Sequence, residues 1–232
     1  MKKKKIYVYA ISKNEEKFAK RWYESVKSAD GIYVLDTGST DNTVKILKEL
    51  GAKVTTKEIK PWRFDVARNE SLNLVPLDAD ICVCIDIDEV ISPNWREKLE
   101  EILENEKVNH VRYIYNWSHD ENKNPKVSFY YEKIHARKNF KWINPVHEVL
   151  KYTGNNEVWA TTNDIIVDHY PDSSKSRSSY LPLLELSVKE DPYNDRNVHY
   201  LGREYMYYGK LNEAIDTLIY HLSLKSATWK DE

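Results

Sequence analysis

Short apolar runs alternate with helix-like stretches through the first part of the chain. The runs at residues 5–11, 31–35, 52–56 and 81–87 have strand length and are rich in β-branched residues. Between them, residues 14–27, 44–50 and 64–74 are typical of helices, and a further helix is expected over residues 93–105 with Ser92 as its N-cap. Strands that alternate with helices predict parallel βαβ units, and therefore an α/β fold with a doubly wound sheet.

The pattern changes after Val108. Residues 108–117 and 126–137 are rich in aromatic and β-branched side chains, which is typical of antiparallel or mixed strands. Further short strands are expected within residues 141–150 and 158–170. From Ser173 onward the pattern is helical, and Pro171 with the serine-rich turn after it indicates a boundary. We therefore expect an α/β domain over residues 1–170 and a helical tail over residues 171–232.

Part of the helical tail matches one tetratricopeptide repeat over residues 198–227. The residues at the spacing of that motif are Leu201, Gly202, Tyr205, Gly209 and Ala214. A lone repeat cannot bury its own faces. It is therefore expected to pack on the α/β domain, unless the sequence is part of a longer chain, and the arbitrary-looking end at residues 229–232 favours the longer chain. The tail is a candidate for binding a protein partner or for self-association.

Composition excludes several classes of function. Charged residues make up 31% of the 232 residues and the formal net charge is −2, so no bulk charge favours nucleic acid or a membrane surface. No segment of the sequence is apolar enough to span a bilayer, and the run at residues 6–11 is too short for a signal peptide. Cys82 and Cys84 share one strand face and cannot bridge each other, so we expect reduced thiols in a cytoplasmic protein.

The strand at residues 81–87 carries the most informative pattern, because its apolar run ends in Asp86 and Asp88. Side chains alternate along a strand, so both carboxylates are predicted to project from the same side at its C-terminal end. Ligands of open α/β sheets bind at that edge. Two ionised carboxylates so close repel each other, and a hard divalent cation relieves the repulsion. We therefore predict a Mg²⁺ or Mn²⁺ ion that holds a diphosphate.

Two other chemistries compete for these acidic residues. Residues 36–39, Asp-Thr-Gly-Ser, match the active-site turn of aspartic proteases, but that chemistry needs a second such carboxylate and the sequence has no second copy. Asp86 and Asp88 also match the nucleophile strand of haloacid-dehalogenase-type phosphatases, in which Asp86 would attack phosphorus. That alternative is weaker, because the motif follows the fourth predicted strand and no later apolar run ends in paired acids.

Six motifs in order resemble a family 2 glycosyltransferase with the GT-A fold. They are residues 8–16 (VYAISKNEE), 36–43 (DTGSTDNT), 62–69 (WRFDVARN), 86–88 (DID), 142–148 (WINPVHE) and 168–170 (DHY). The resemblance covers roughly residues 5–170, and the subgroup with an appended tetratricopeptide repeat is also similar to this chain. It implies a Rossmann-like mixed sheet flanked by helices, a nucleotide-sugar donor (a UDP-sugar is expected) and a Mn²⁺ or Mg²⁺ ion.

The resemblance also implies a nucleobase pocket. Ala10, Ile11 and Asp36 would form it, with the Asp36 carboxylate accepting the N3–H of uracil. The alternative is that Asp36 only closes its turn and caps the following helix. Glu15 either faces this pocket or lies in the first helical turn, where the helix dipole favours an acid.

The phosphates and the metal have their own candidates. Arg68 is predicted to contact the nucleotide or its phosphates, since a guanidinium can bind oxygen anions bidentately; the alternative is a surface ion pair. By resemblance, Asp86 lies near the ribose and the metal, Asp88 ligates the metal directly, and His169 adds another ligand. For each of these side chains a purely structural role is the alternative.

An inverting transfer needs a base that deprotonates the acceptor hydroxyl. Glu148 is the first candidate and Glu89 the second; the alternative for Glu148 is that it only hydrogen-bonds to the acceptor. The sequence leaves the sugar open, and the acceptor could be a protein, glycan, lipid or modified nucleic acid. The alternative from another class is a catalytically silent nucleotide-sugar-binding scaffold with a partner-binding tail.

Overall fold

The computed structural model describes residues 3–172, 175 and 177–228. Residues 173, 174 and 176 of the expected boundary and the expected chain end at 229–232 lie outside the described residues. In chain order the elements are β1 (Ile6–Ser12), α1 (Glu16–Val26), β2 (Gly31–Asp36), α2 (Thr43–Leu50), β3 (Lys53–Thr56), α3 (Phe64–Leu74), β4 (Ile81–Cys84), β5 (Glu89–Ile91), α4 (Trp95–Ile102), β6 (His110–His119), β7 (Pro125–Ala136), β8 (Phe140–Ile143), β9 (Val149–Tyr152), β10 (Trp159–His169), α5 (Tyr180–Glu190), α6 (Asp195–Tyr207) and α7 (Leu211–Ser223).

Eight of these strands form one mixed sheet in the order β3-β2-β1-β4-β7-β6-β10-β5. Strands β1 to β4 are parallel to one another. Strand β7 is antiparallel to both of its neighbours, β4 and β6, and β10 is parallel to β6. Because β7 is antiparallel to both β4 and β6, strands β6 and β10 run in the same direction as β1, β2 and β4. The carboxyl ends of these five strands therefore meet at one edge of the sheet. The predicted mixed sheet flanked by helices is confirmed.

The central strand β1 is buried on both faces of the sheet. Val8 and Ala10 belong to the larger apolar cluster, which also contains Trp22 of α1 and Leu99 of α4. Tyr9 belongs to the smaller cluster on the opposite face. A parallel strand covered on both sides reads as a continuous apolar run, which is why the sequence predicts β1 without periodicity. Fully burying one large apolar side chain here contributes about 1.5–3 kcal/mol.

The chain divides into two compact units. The first comprises Met1–Pro61, Ala67–Trp142 and Leu150–Ser173, and the second comprises Trp62–Val66, Ile143–Val149 and Ser174–Glu232. Two short segments that we assigned to the first domain therefore belong with the C-terminal helices. The reason is packing, because Phe64 and Val146 lie in one apolar cluster with Leu184.

Within the second unit, α6 and α7 form a helical hairpin. A Cβ atom added at Gly202 would lie 2.6 Å from Cδ2 of Leu218, so only glycine allows the two helices to approach this closely. The described part of the tail consists of the three helices α5, α6 and α7. Their assignment as a tetratricopeptide repeat stays a prediction. Among the described residues, no helix combines the length and apolar character needed to cross a bilayer.

Two expected details of the first unit are wrong. The strand predicted over residues 81–87 ends at Cys84, because a turn follows in which the backbone N of Glu89 donates to the carbonyl of Asp86 at 2.9 Å. Ser92 does not cap α4; its hydroxyl accepts a hydrogen bond from the backbone N of Ile166 at 3.1 Å, and Asn94 holds the N-cap position.

A chain of buried polar groups crosses the smaller apolar cluster. Nε1 of Trp142 donates to the hydroxyl of Tyr9 at 2.8 Å, and that hydroxyl lies 2.8 Å from Nε2 of His135. Nδ1 of His135 donates to the carbonyl of Ala136 at 2.8 Å, so Nε2 carries the lone pair and accepts from Tyr9. Burial lowers the pKa of His135 to about 3.

We predict that His135 makes the fold acid-sensitive. Its pKa in the folded protein lies below the ordinary value of about 6.5. The unfolded chain therefore binds an extra proton as the pH falls from about 6.5 towards 3, and the free energy of unfolding falls with it. One proton contributes a slope of about 1.4 kcal/mol per pH unit. Urea unfolding at neutral pH and at about pH 5 measures this slope, and His135→Gln should lower it by one proton. An unchanged slope in the variant would contradict the prediction.

Candidate active site

The carboxyl edge of the sheet brings most of the predicted side chains together. Asp36 ends β2, Asp86 and Asp88 follow β4, and His169 ends β10. The five strands that end here are parallel, so their last residues and the turns after them share one edge, where open α/β sheets bind ligands. All of these residues belong to the first unit.

The turn after β2 is closed by Asp36, which is fully buried. Its Oδ1 accepts hydrogen bonds from the backbone N of Gly38 at 3.1 Å and of Ser39 at 3.0 Å. Its Oδ2 accepts from the hydroxyls of Ser12 at 3.0 Å and of Ser39. Gly38 has a φ of 112°, a conformation that glycine adopts without strain. These contacts fit the turn-closing alternative, and a contact between Asp36 and a nucleobase stays a prediction.

The other residues predicted for the nucleobase pocket differ in exposure. The side chain of Ala10 is fully buried in the larger apolar cluster, so it faces the core and not the edge. Ile11 beside it is partly exposed. Glu15 holds the N-cap position of α1, where its backbone N donates to Thr43 Oγ1 at 2.7 Å, and its side chain is buried.

Four charged side chains form a network beside this edge, which we call the charge quartet: Arg68, Asp86, Glu89 and Lys133. Arg68, Glu89 and Lys133 are buried, whereas the Asp86 side chain is 24% exposed. Arg68 donates to both oxygens of Asp86, Nη1 to Oδ1 at 2.7 Å and Nη2 to Oδ2 at 3.0 Å. Nζ of Lys133 donates to Asp86 Oδ2 at 3.0 Å and to both oxygens of Glu89 at 2.7 and 2.8 Å. The hydroxyl of Tyr115 donates to Glu89 Oε1 at 2.9 Å.

The charge quartet is electrically balanced, with two cations and two anions. Burial disfavours the ionised form of Asp86, but Arg68 and Lys133 hold the pKa of this carboxyl well below its ordinary value. Burial would likewise lower the pKa of Lys133, but Asp86 and Glu89 raise it well above its ordinary value. Both groups are therefore charged at neutral pH, as buried ion pairs with good hydrogen bonds require.

These contacts change the roles predicted for Arg68 and Asp86. Arg68 is buried, its Nη1 lies 3.3 Å from the sulfur of Cys84, and its guanidinium lies 4.9 Å from the ring centre of Trp142. It therefore does not form a surface ion pair, and a contact of Arg68 with the nucleotide or its phosphates stays a prediction. Both oxygens of Asp86 accept hydrogen bonds from cations, which counts against Asp86 as a metal ligand. The same contacts count against it as the nucleophile of a phosphatase.

The contacts of Glu89 count against its predicted role as the second candidate base, which stays a prediction. Its side chain is 1% exposed and both oxygens accept hydrogen bonds from Lys133. Its Oε2 also accepts from the backbone N of Asp86 at 2.8 Å, so Glu89 stabilises the turn after β4. No oxygen is left to receive a proton from an acceptor hydroxyl.

Asp88, in the same turn, lies next to His169. Nδ1 of His169 donates to the carbonyl of Trp117 at 3.1 Å, which places Nε2 3.5 Å from Oδ2 of Asp88. Burial lowers the pKa of His169, but the hydrogen bond and the charge of Asp88 outweigh it and raise the pKa. The carbonyl of Asp88 accepts from the backbone N of Tyr170 at 2.9 Å, which fixes the turn against the end of β10.

A Mg²⁺ or Mn²⁺ ion fits this pair of side chains. A histidine whose one N–H binds a backbone carbonyl presents its other nitrogen as a ligand, and a carboxylate oxygen is a hard donor. Across residues 3–172, 175 and 177–228, no group of three or more His, Cys, Asp or Glu side chains could hold a metal. Asp88 and His169 would therefore supply two ligands, and substrate phosphates and water the others, as is usual for Mg²⁺.

Comparison with known proteins identifies the family. The family model described as glycosyl transferase family 2 matches residues 7–152. The chain belongs to this family. Curated relatives described as uncharacterized glycosyltransferases of Rickettsia typhi and Rickettsia bellii are 38% and 37% identical over 112 residues, which is 48% of this chain and 36% of each relative. The chain thus spans about a third of the length of the curated relatives that it matches.

A solved structure shows the same fold. A crystal structure described as a mycobacterial protein superposes with a TM-score of 0.52 at 18% identity, over 78% of this chain and 71% of that chain. Glucosyl-3-phosphoglycerate synthase from Mycobacterium tuberculosis, solved with Mn²⁺ and uridine-diphosphate-glucose, is 26% identical over 48% of this chain and 44% of that chain, with a TM-score of 0.42. The mixed sheet of this family 2 glycosyltransferase matches the GT-A fold.

The first candidate base, Glu148, lies in the second unit, in the segment of residues 143–149. Two residues of that segment have left-handed backbone, Asn144 with φ 76° and His147 with φ 49°. Val146 anchors the segment in the apolar cluster of the second unit. Glu148 is therefore not among the side chains that the first unit of this glycosyltransferase brings together.

Sequence reasoning missed Lys133 and Tyr115, which complete the charge quartet and its hydrogen bonds. One signal for Lys133 was available. It is the only cation within the short stretch Phe129–Ile134, which is otherwise rich in aromatic residues and predicted as a strand. A lysine on a strand that pairs with the acidic strand is a candidate partner for its carboxylates. Nothing in the sequence distinguishes Tyr115 from the other tyrosines, of which the chain has 17 in all.

We predict that Lys133→Met destabilises this glycosyltransferase by about 3–5 kcal/mol, because it leaves the buried carboxylate of Glu89 without its cation. Lys57→Met is the matched control, since Lys57 forms a half-exposed ion pair with Glu70 at 2.7 Å and should contribute less than about 1 kcal/mol. Chemical denaturation measures both variants. Adding Glu89→Gln to Lys133→Met should recover part of the loss, and equally small losses in both single variants would contradict the prediction.

Proposed function

We propose that this family 2 glycosyltransferase moves a sugar from a UDP-sugar to an acceptor hydroxyl or other nucleophile, with inversion and with a divalent metal. Membership of the family supports glycosyl transfer. One observation carries the metal dependence: Asp88 and His169 lie 3.5 Å apart at the carboxyl edge, and Nδ1 of His169 is already engaged by a backbone carbonyl. UDP is the nucleotide that the family resemblance suggests.

The charges around the site support the same proposal. A nucleoside diphosphate brings negative charge to the edge and gains more as the glycosidic bond breaks. The two cations of the charge quartet, Arg68 and Lys133, are already neutralised by Asp86 and Glu89. When bound at Asp88 and His169, Mn²⁺ or Mg²⁺ supplies a Lewis acid that stabilises the charge of the departing diphosphate.

The charge quartet has a supporting role in this proposal. It holds Asp86 in one orientation at the end of β4, where the resemblance places the ribose of the donor. It also fixes the turn that carries Asp88, through the contact of Glu89 Oε2 with the backbone N of Asp86. The nucleobase is proposed to bind between Ile11 and the turn of Asp36, beside Glu15.

The acceptor side of the proposal is less specific. Glu148 is the base that the resemblance suggests, and a protein, glycan, lipid or modified nucleic acid could accept the sugar. The helical tail is proposed to bind another polypeptide, which Leu211, Ile215 and Ile219 support because they lie exposed at intervals of four residues along α7. A silent nucleotide-sugar-binding scaffold would bind UDP without ever releasing it from a donor.

We predict that Asp88→Ala and His169→Ala each remove the Mn²⁺-dependent part of UDP binding. Calorimetric titration with UDP, once with Mn²⁺ and once with a chelator, measures that part directly. In both variants the two affinities should become equal, because the ion loses a protein ligand. Asp164→Ala is the matched control, since Asp164 is an exposed acid on the same strand as His169 and should keep the wild-type difference. A wild-type difference in Asp88→Ala would contradict the metal site.

A further inference from the structure

His119 and Asp168 form a hydrogen-bonded pair that the reaction described above does not use. Nε2 of His119 lies 2.9 Å from Oδ1 of Asp168. A carboxylate only accepts, so Nε2 carries the proton and Nδ1 carries the lone pair. Within the part of the chain that the structure describes, Nδ1 has no hydrogen-bond partner and is not among the buried atoms without one. The His119 side chain is 13% exposed, so this lone pair faces the solvent side.

The carboxylate of this pair is also held by Asn116 of β6, which is fixed in turn by Ser128 of β7. Oδ1 of Asp168 also accepts from Nδ2 of Asn116 at 2.7 Å, and Oδ1 of Asn116 accepts from the hydroxyl of Ser128 at 2.6 Å. Asn116 pairs with Asp168 on one side and with Ser128 on the other in the register of β10, β6 and β7. A carboxylate fixed in this way orients an imidazole and stabilises its protonated form, the arrangement that activates histidine bases in unrelated enzymes.

The pair lies at the same edge as the proposed metal site. His119 ends β6, and its ring stacks on Tyr170 with the ring centres 5.3 Å apart and an angle of 6°. The backbone N of Tyr170 donates to the carbonyl of Asp88, so one residue links His119 to Asp88. The charged groups around the histidine are Asp168, the neighbouring Asp120 and Arg21 of α1, whose guanidinium lies 4.1 Å from the ring centre of Tyr170.

Another histidine on the same strand shows what a purely packed imidazole looks like. His110 starts β6 and is 1% exposed. Its Nδ1 lies 2.8 Å from Glu157 Oε1 and its Nε2 lies 3.1 Å from the carbonyl of Glu132, so both nitrogens are engaged. His119 differs in both respects, because its side chain is partly exposed and its Nδ1 has no hydrogen-bond partner among the described residues.

We propose that His119 is the general base of the transfer, an inference that rests on the proposed function. The acceptor hydroxyl gives its proton to Nδ1 of His119 while its oxygen forms the new bond to the anomeric carbon of the donor sugar. The electron pair of the old glycosidic bond leaves with the nucleoside diphosphate. Asp168 stabilises the imidazolium that results. Glu148 is the competing candidate from the resemblance, and the test separates the two.

The test uses water as the acceptor, because hydrolysis needs the same proton transfer. The full chain is incubated with Mn²⁺ and a panel of UDP-sugars, and release of UDP is followed for the sugar that the wild-type protein hydrolyses fastest. His119→Ala should lower the rate by about 10²–10⁴-fold, and its calorimetric affinity for UDP should stay within about twofold of wild type. Added imidazole should restore part of the rate in this variant, because it can take the vacated position of the base.

Two variants serve as controls. His110→Ala removes a histidine with a carboxylate partner from the same strand, and imidazole should not raise its rate. Asp168→Asn keeps the size and shape of the side chain that contacts His119. It should lower the rate of UDP release, and added imidazole should not raise that rate.

The outcomes separate the inference from the proposed function. A wild-type rate in His119→Ala would overturn the inference, as would a lost rate that imidazole does not restore. A loss in Glu148→Ala that formate restores, together with an unaffected His119→Ala, would assign the base to Glu148. Mn²⁺-dependent UDP binding by the wild-type protein would leave the proposed donor site standing in each of these cases. A wild-type protein that binds no UDP would contradict the proposed function itself, and one that binds UDP but never releases it from a donor would overturn the inference.

Discussion

The carboxyl edge of the sheet depends on two carboxylates and two cations that are joined by hydrogen bonds. Asp86 follows β4, Glu89 begins β5, Arg68 comes from α3 and Lys133 comes from β7, so the network joins four separate elements. Each charge alone would be costly to bury, and each is tolerated because the others are present. The arrangement determines where β4 ends, because Asp86 turns towards the two cations and Glu89 closes the turn on its backbone N. Asp88 lies in the same turn, next to His169.

The hydrogen bonds of the charge quartet explain why two aspartates in one short motif have different environments. Alternation along a strand predicted that Asp86 and Asp88 act together on a metal. In the structure the strand has already ended, so alternation does not apply to them. Asp86 accepts hydrogen bonds from two cations of the protein, whereas Asp88 faces Nε2 of His169, a nitrogen that suits a metal ion. The sequence contains both carboxylates but not the cations that separate them, because Lys133 is 47 residues from Asp86.

The local pattern of apolar and polar residues predicted most helices and strands of the first unit. The features that it did not predict depend on contacts between residues far apart in the sequence. The strands β1, β2 and β3 and the helix α3 begin and end within a residue or two of their expected bounds, since apolar runs and their polar ends are local features. The sequence did not indicate that residues 62–66 and 143–149 belong to the second compact unit, because the apolar side chains that pack against Phe64 and Val146 come from helices much later in the chain. The roles of His110, His119, His135 and His169 could not be separated either. The partner of each ring nitrogen decides the role of a histidine, and partners of His110, His119 and His169 come from neighbouring strands.

The central claim is that a divalent cation lies between Asp88 and His169 and that Asp86 is kept away from it. Crystals of the protein grown with UDP and Mn²⁺, measured at the manganese absorption edge, test this most directly. The account predicts one strong anomalous peak in contact with the Asp88 carboxylate, Nε2 of His169 and the diphosphate, with Asp86 still bound to Arg68 and Lys133. A manganese peak bound to Asp86, or a diphosphate at another edge of the sheet, would contradict it.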